Sequence, residues 1–165
     1  MTTYQSSSSA GTKKFGRELA KKILKSGQGK KAIVVALSGE LGAGKTTFTQ
    51  GFAAGLGIKG RIQSPTFILM RNTKLPQLSN SKFVNFIHID AYRADSKDFL
   101  KLGFKEITTD SKNIILVEWA DRLKKIIPKS AMWLKLSHGK KENERLIIMN
   151  DELWTLKEKG QRKRK

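Results

Sequence analysis

Apolar positions in this chain fall into two repeating patterns. Phe15, Leu19, Ile23 and Leu24 recur at helical spacing, so the sequence predicts a helix from Thr12, a good capping residue, to about Ser26, with Gly27 as its stop. Ala32 to Leu37 is instead an unbroken apolar run rich in Val and Ile, which is how a strand buried on both faces reads. A glycine-rich segment follows, then a second helical stretch from Lys45 to Leu56 closed by Gly57. Further strands are predicted at Phe67–Met70, Val84–Ile89 and Ile114–Val117, with the polar stretch Asn72–Lys82 as a loop. Short helices are expected at Ser96–Leu102 and from Ala120 to Ile127, where Pro128 ends the run. Met132–Leu136 and Leu146–Met149 read as a hairpin around residues 137–143. This alternation of buried strands with helices predicts an α/β domain over residues 12–150, with helices on both faces of one sheet.

The two ends depart from this pattern. Residues 1–11 are polar and serine-rich, and read as a disordered leader. Residues 151–165 read as a basic tail, whose last nine positions hold six basic side chains and one acid. The whole chain carries 33 Lys and Arg against 14 Asp and Glu, a net charge of +19. Such an excess favours polyanions, RNA first among them, although a solvated lysine-rich surface would give the same number. There are no cysteines, which excludes a disulfide framework, thiolate metal sites and a cysteine nucleophile. The longest apolar run, Ala32 to Leu37, is far short of the roughly 20 residues that span a membrane. A cytoplasmic protein without a membrane anchor is the expectation.

The glycine-rich segment carries the strongest chemical signal. Gly39-Glu40-Leu41-Gly42-Ala43-Gly44-Lys45-Thr46 fits the spacing G-x-x-x-x-G-K-[ST]. Phosphate oxygens are bound there by backbone N–H groups converging on one concavity, which needs tight wrapping and positive φ angles. The following helix aims its free N–H groups and positive dipole end at the same anion. Lys45 would add a full charge near the terminal phosphates, and the Thr46 hydroxyl would be a magnesium ligand. A buried strand before the loop and a helix after it supply the required context.

Magnesium and water activation also need carboxylates beyond the C-terminal ends of the strands. Two acids stand there. Asp90 follows Phe86-Ile87-His88-Ile89, and Glu118 follows Ile114-Ile115-Leu116-Val117. Either fits the acid that holds magnesium, and the other would orient or deprotonate the attacking water. His88, in mid-strand, reads as a packed histidine rather than a catalytic one. Trp119 suits core packing and base or partner stacking equally. Thr66, in Ser64-Pro65-Thr66, stands where nucleotide switches carry a threonine that senses the γ phosphate. Guanine-specific motifs of the Asn-Lys-x-Asp kind are absent, which favours ATP. Three uses of it stay open: an ATPase that drives or resets a partner, a stand-alone small-molecule kinase, and a nucleic-acid-dependent ATPase.

Taken in order, several segments resemble the TsaE family, the small ATPase subunit of the bacterial machinery that makes threonylcarbamoyladenosine in tRNA. They are Thr12-x-x-x-Gly16-x-x-x-Ala20, the run from Leu37 to Phe48, Ser64-Pro65-Thr66-Phe67, His88-Ile89-Asp90-Ala91-Tyr92-Arg93, Leu102-Gly103-Phe104, and Val117 to Arg122. The resemblance covers roughly residues 12–128 and implies a P-loop NTPase fold with a mixed, mostly parallel sheet flanked by helices. It implies ATP and Mg²⁺ as cofactors, held by Thr12, Leu41, Gly42, Ala43, Gly44, Lys45, Thr46, Thr47, Thr66 and Trp119. Thr46, Glu118 and Asp90 would form the magnesium set, and Glu118, Asp90 and Lys45 the catalytic set. It further implies the partner proteins TsaB and TsaD, the latter transferring the threonylcarbamoyl group. ATP hydrolysis would then reset that complex between cycles. The basic tail adds an expectation of direct tRNA contact.

Overall fold

A computed structural model describes residues 2–26, 29–60, 62–77 and 81–150. The strands are β1 (Thr2–Ser6), β2 (Ile33–Ser38), β3 (Met70–Lys74), β4 (Asn85–Asp90), β5 (Asn113–Glu118), β6 (Met132–His138) and β7 (Arg145–Asn150). The helices are α1 (Ser9–Lys25), α2 (Lys45–Gly55), α3 (Ser96–Lys101) and α4 (Phe104–Thr109), with a 3₁₀ turn at Ala120–Leu123. All seven strands join one sheet in the order β1-β7-β6-β2-β5-β4-β3. The centre is parallel, through β6 with β2, β2 with β5, and β5 with β4. Antiparallel pairings add β3 at one edge and β7 then β1 at the other. The expected P-loop-type architecture is therefore present, with β2 and β5 side by side at its centre.

Alternation along the central strands divides the core in two. Val35, Leu37, Ile114 and Leu116 face α1 and α2, where Leu19, Ile23, Phe48 and Phe52 cover them. Val34, Ala36, Ile115 and Val117 face the other way, beneath Phe99, Phe104 and Leu123. Side chains at i and i+2 of a strand share a face, so both faces of these strands had to be apolar once helices lay on both. Phe48 and Phe52 are fully buried. Each such ring stabilises the fold by roughly 1.5–3 kcal/mol through removal of apolar surface from water.

Helices α1 and α2 pack almost backbone to backbone. A Cβ placed on Gly51 of α2 would lie 2.0 Å from the Lys13 carbonyl oxygen of α1. That approach is open only to a residue without a side chain. The helix that carries the phosphate loop is thereby clamped to α1.

Several elements differ from the sequence expectation. Residues 2–6, expected within a disordered leader, form edge strand β1, paired with β7 in the register Tyr4↔Ile147. Its hold is local too, since the Tyr4 ring stacks on Phe15 at 4.5 Å between centroids. Ser8, not Thr12, caps α1, by accepting from the Gly11 N–H at 3.1 Å. The strand expected at Phe67–Met70 lies instead at Met70–Lys74, where β4 supplies its ladder partners. The helix expected from Ala120 to Ile127 shrinks to a 3₁₀ turn, and α4 was not anticipated. The stop expected at Gly27 and the basic tail at 151–165 lie outside the described residues. Among the described residues no helix is long and apolar enough to cross a membrane.

Candidate functional site

The site lies where β2, β4 and β5 end beside the start of α2. The loop between β2 and α2 carries Gly42 and Gly44 at φ 75° and 95°. Gly44 is the residue immediately before the helix, so its positive φ turns the chain from the loop into α2. The result is a concave cleft of about 390 Å³. Leu41, Gly42, Gly44, Lys45, Thr46 and Thr47 line one side, and Ser64, Thr66, Asp90, Tyr92, Arg93, Glu118 and Trp119 the other. Most of the residues expected to hold a nucleotide thus converge on one cavity.

Ala43 and Thr12 are placed differently from the rest. Ala43 is fully buried and points into the core. Its N–H donates to the Glu40 carbonyl at 3.2 Å, which closes the loop on itself. Thr12 is buried behind the loop, with its hydroxyl donating to Ser6 Oγ at 3.0 Å. Its methyl lies 3.8 Å from the point where Gly44 would carry a Cβ, so Thr12 packs against the loop's back.

Lys45 is the first residue of α2 and is turned back over its own loop. Its Nζ donates to the carbonyls of Gly39 at 2.7 Å and Glu40 at 2.8 Å. It also sits 3.5 Å from the centre of the Trp119 ring, a cation–π contact. Burial holds its pKa below the ordinary 10.5, against the opposing pull of Glu118, Asp121 and Asp90. The charge is short of solvation, a condition that an anion in the cleft would relieve.

Glu118 is buried at the end of β5 and engages three donors. The Thr46 hydroxyl donates to Oε2 at 2.9 Å. The Thr49 hydroxyl donates to Oε1 at 3.0 Å, and His88 Nε2 lies 2.9 Å from that same oxygen. Parallel pairing explains the meeting. β4 and β5 align Asp90 with Glu118, and alternation puts His88, Asp90 and Glu118 on the face that α2 covers. Thr49 lies one turn beyond Lys45 on α2, which brings it over the same carboxylate. His88 was expected to be packed, and it is, stacking on Phe86. The sequence did not reveal that it also touches Glu118. A mid-strand His two positions before Asp90, in a strand neighbouring the Glu118 strand, was the available signal.

Asp90 serves a different segment. Its Oδ2 accepts from the Ser64 and Thr66 hydroxyls, the latter at 2.7 Å, and its Oδ1 from the Tyr92 N–H at 2.9 Å. The segment Ser64–Thr66 is thereby fastened to the end of β4. Beyond it, Phe67 and Ile68 are exposed, and the backbone at Leu69 has φ 62°. Trp119 also departs from extended geometry, with φ 59°. That turn brings its half-buried ring into the cleft beside Tyr92, 5.0 Å between centroids.

The donor chemistry suits a magnesium nucleotide. Magnesium takes oxygen ligands, commonly one or two from the protein with phosphate and water completing the set. Thr46 and Glu118 present a hydroxyl and a carboxylate oxygen together at the cleft wall. The loop backbone and Lys45 would face the phosphates. Fold and site together define a P-loop-type α/β protein whose loop faces a strand-end carboxylate.

Comparison with known proteins narrows the class. Residues 6–147 match the family described as threonylcarbamoyl adenosine biosynthesis protein TsaE. This chain belongs to the TsaE family, which serves tRNA threonylcarbamoyladenosine biosynthesis. It is 35% identical over 127 residues to the tRNA threonylcarbamoyladenosine biosynthesis protein TsaE of Haemophilus influenzae, spanning 76% of this chain and 75% of that one. The protein of the same description from Streptomyces coelicolor is 40% identical over 113 residues, 66% of this chain and 67% of its own. Among solved structures, Bacillus subtilis YdiB superposes with a TM-score of 0.72 at 26% identity, covering 99% of this chain and 96% of YdiB.

Proposed function

We propose that this chain is the ATP-binding and ATP-hydrolysing subunit of the cytoplasmic tRNA threonylcarbamoylation machinery, and that its hydrolysis resets a TsaB–TsaD transferase complex between cycles. The observation that carries this reading is the contact between Thr46, the last residue of the phosphate loop, and Glu118 at the end of β5, 2.9 Å apart. Glu118 is the carboxylate for magnesium in this reading, since its Oε2 meets the Thr46 hydroxyl at the cleft, whereas Asp90 fastens the Ser64–Thr66 segment. Bound magnesium would supply charge neutralisation between the terminal phosphates. Lys45 Nζ would exchange the Gly39 and Glu40 carbonyls for phosphate oxygens. Thr66 and Ser64, fastened to Asp90, would report the γ phosphate to the exposed segment Phe67–Ile68, where a partner protein reads it. The net charge of +19 would add electrostatic contact with tRNA.

Steady-state ATP hydrolysis by the purified protein, alone and with TsaB and TsaD, tests the reading. Slow turnover alone and a clear rise with partners is expected. Glu118→Ala should still bind ATP yet fail to sustain repeated cycles of tRNA modification. Fast hydrolysis alone, indifferent to partners, would mean a self-sufficient enzyme, and a phosphorylated acceptor formed in proportion to ADP would establish a stand-alone kinase instead.

A further inference from the structure

The carboxylate of Glu118 has two oxygens in unequal surroundings. Oε1 is held from the α2 side by Thr49 at 3.0 Å and from the β4 side by His88 at 2.9 Å. Oε2 has one contact, with Thr46, and faces the cleft. A carboxylate offers about four lone-pair positions, two on each oxygen. Oε1 is contacted from both sides, the Thr49 hydroxyl being shared with the Lys45 carbonyl at 3.0 Å, and the open position is on Oε2.

We propose that His88 is a positioning residue for magnesium: with Thr49 it pins Glu118 Oε1, so that Oε2 is presented to the cation alongside Thr46. This rests on the ATP-magnesium reading above and adds a role for a residue outside the cleft wall. The state of the ring supports it. His88 is 1% exposed, and its Nδ1 is the buried side-chain nitrogen or oxygen that finds no hydrogen-bond partner among the described residues. Burying a nitrogen without a partner is unfavourable, and an apolar side chain of similar size would avoid it. The imidazole differs from such a side chain by the Nε2–H that it donates to Glu118. Groups that hold a metal ligand from behind fix its rotamer, and their loss typically weakens metal affinity by roughly 10–100-fold.

The test is the affinity of a fluorescent, slowly hydrolysed ATP analogue, measured in excess Mg²⁺ and again in EDTA. The ratio of the two dissociation constants reports the magnesium contribution. His88→Leu should reduce that ratio by about tenfold and raise the Mg²⁺ midpoint correspondingly. Its affinity in EDTA should stay within about twofold, because the loop and Lys45 are untouched. His88→Gln, which keeps an N–H near the Nε2 position, should recover part of the ratio. Thr49→Val removes the other hold on Oε1 and should reduce the ratio too, which keeps the idea testable if His88→Leu does not fold. A wild-type ratio in both His88→Leu and Thr49→Val would overturn the proposal while leaving the ATPase reading intact. A wild-type protein whose affinity ignores Mg²⁺ would overturn both.

Discussion

Gly51→Ala is the most informative single substitution away from the cleft. The added methyl carbon would sit 2.0 Å from the Lys13 carbonyl oxygen, against 3.4 Å for ordinary contact, a deficit of 1.4 Å. Carbonyl and methyl are both backbone-fixed, so no rotamer change relieves the overlap. The helices must part by about 1 Å, and such a gap forfeits a quarter to a half of the dispersion energy at their interface. Leu19, Ile23, Phe48 and Phe52 share that interface. The expected cost is about 3 kcal/mol, the upper part of the range for overpacked cores. For a chain of this size that is a melting point lower by roughly 6–12 °C. Because α2 begins at Lys45, the same displacement moves the phosphate loop. Nucleotide affinity should fall as well, by about tenfold or more, in a fluorescence titration run well below the melting point. Gly29→Ala is the control, since a Cβ there meets nothing nearer than 4.0 Å. Urea denaturation of both variants decides the matter. A Gly51→Ala protein as stable as Gly29→Ala would refute the reasoning, and with it the claim that α1 and α2 are clamped.

Three further outcomes follow from side chains already described. Thr66→Val keeps shape but deletes a 2.7 Å hydrogen bond to the Asp90 carboxylate; it should cost about 1.5 kcal/mol in urea denaturation and lower partner-stimulated hydrolysis more than ADP affinity. For Lys45, burial lowers the folded pKa below 10.5, so the unfolded chain binds the proton more tightly. Ligand-free wild type should therefore gain stability relative to Lys45→Met as pH rises towards 10.5, and a loss over that window would contradict the assignment. Asp95 caps α3 by accepting from the Lys97 and Asp98 N–H groups, Asp98 first, which lowers its pKa below 3.8. The advantage of wild type over Asp95→Ala should be complete above pH 3.8 and vanish as pH falls through the folded value, as thermal melts across that range would show.

What the sequence reveals tracks where burial dominates. Residues 33–37 and 114–117 are apolar on both faces, and no other structure suits such runs as well. The strands at the sheet's edges are legible only through their partners. Met70-Arg-Asn-Thr-Lys74 has no apolar pattern and is a strand because β4 offers it a ladder. Thr2-Thr-Tyr-Gln-Ser6 depends on β7, far along the chain. The helix expected from Ala120 to Ile127 is only a 3₁₀ turn over Ala120–Leu123, and its local sequence did not signal the shortening.

The site divides in the same way. Lys45, Thr46 and the loop are local in sequence, and Asp90 and Glu118 stand at strand ends, so residue order suffices to nominate them. The contacts that distinguish the two acids are not local. Thr49 and His88 reach Glu118 across 69 and 30 residues, and Thr66 reaches Asp90 across 24. Only strand register and the seat of α2 bring them together.

The pairing of β1 with β7 sets a timetable for the molecule's birth. Thr2 lies beside Met149, so β1 must wait for a strand made 147 positions later. At about 5–20 residues per second, that is roughly 7–30 s. Helices α1 and α2 can meet in the interval, because the segments that form them emerge early. β1 has no sheet partner until then and is held by its contacts with α1, Tyr4 on Phe15 and Ser6 with Thr12. Sheet pairing of β1 is therefore tied to the making of β7, late in synthesis, although β1 lies far earlier in the sequence.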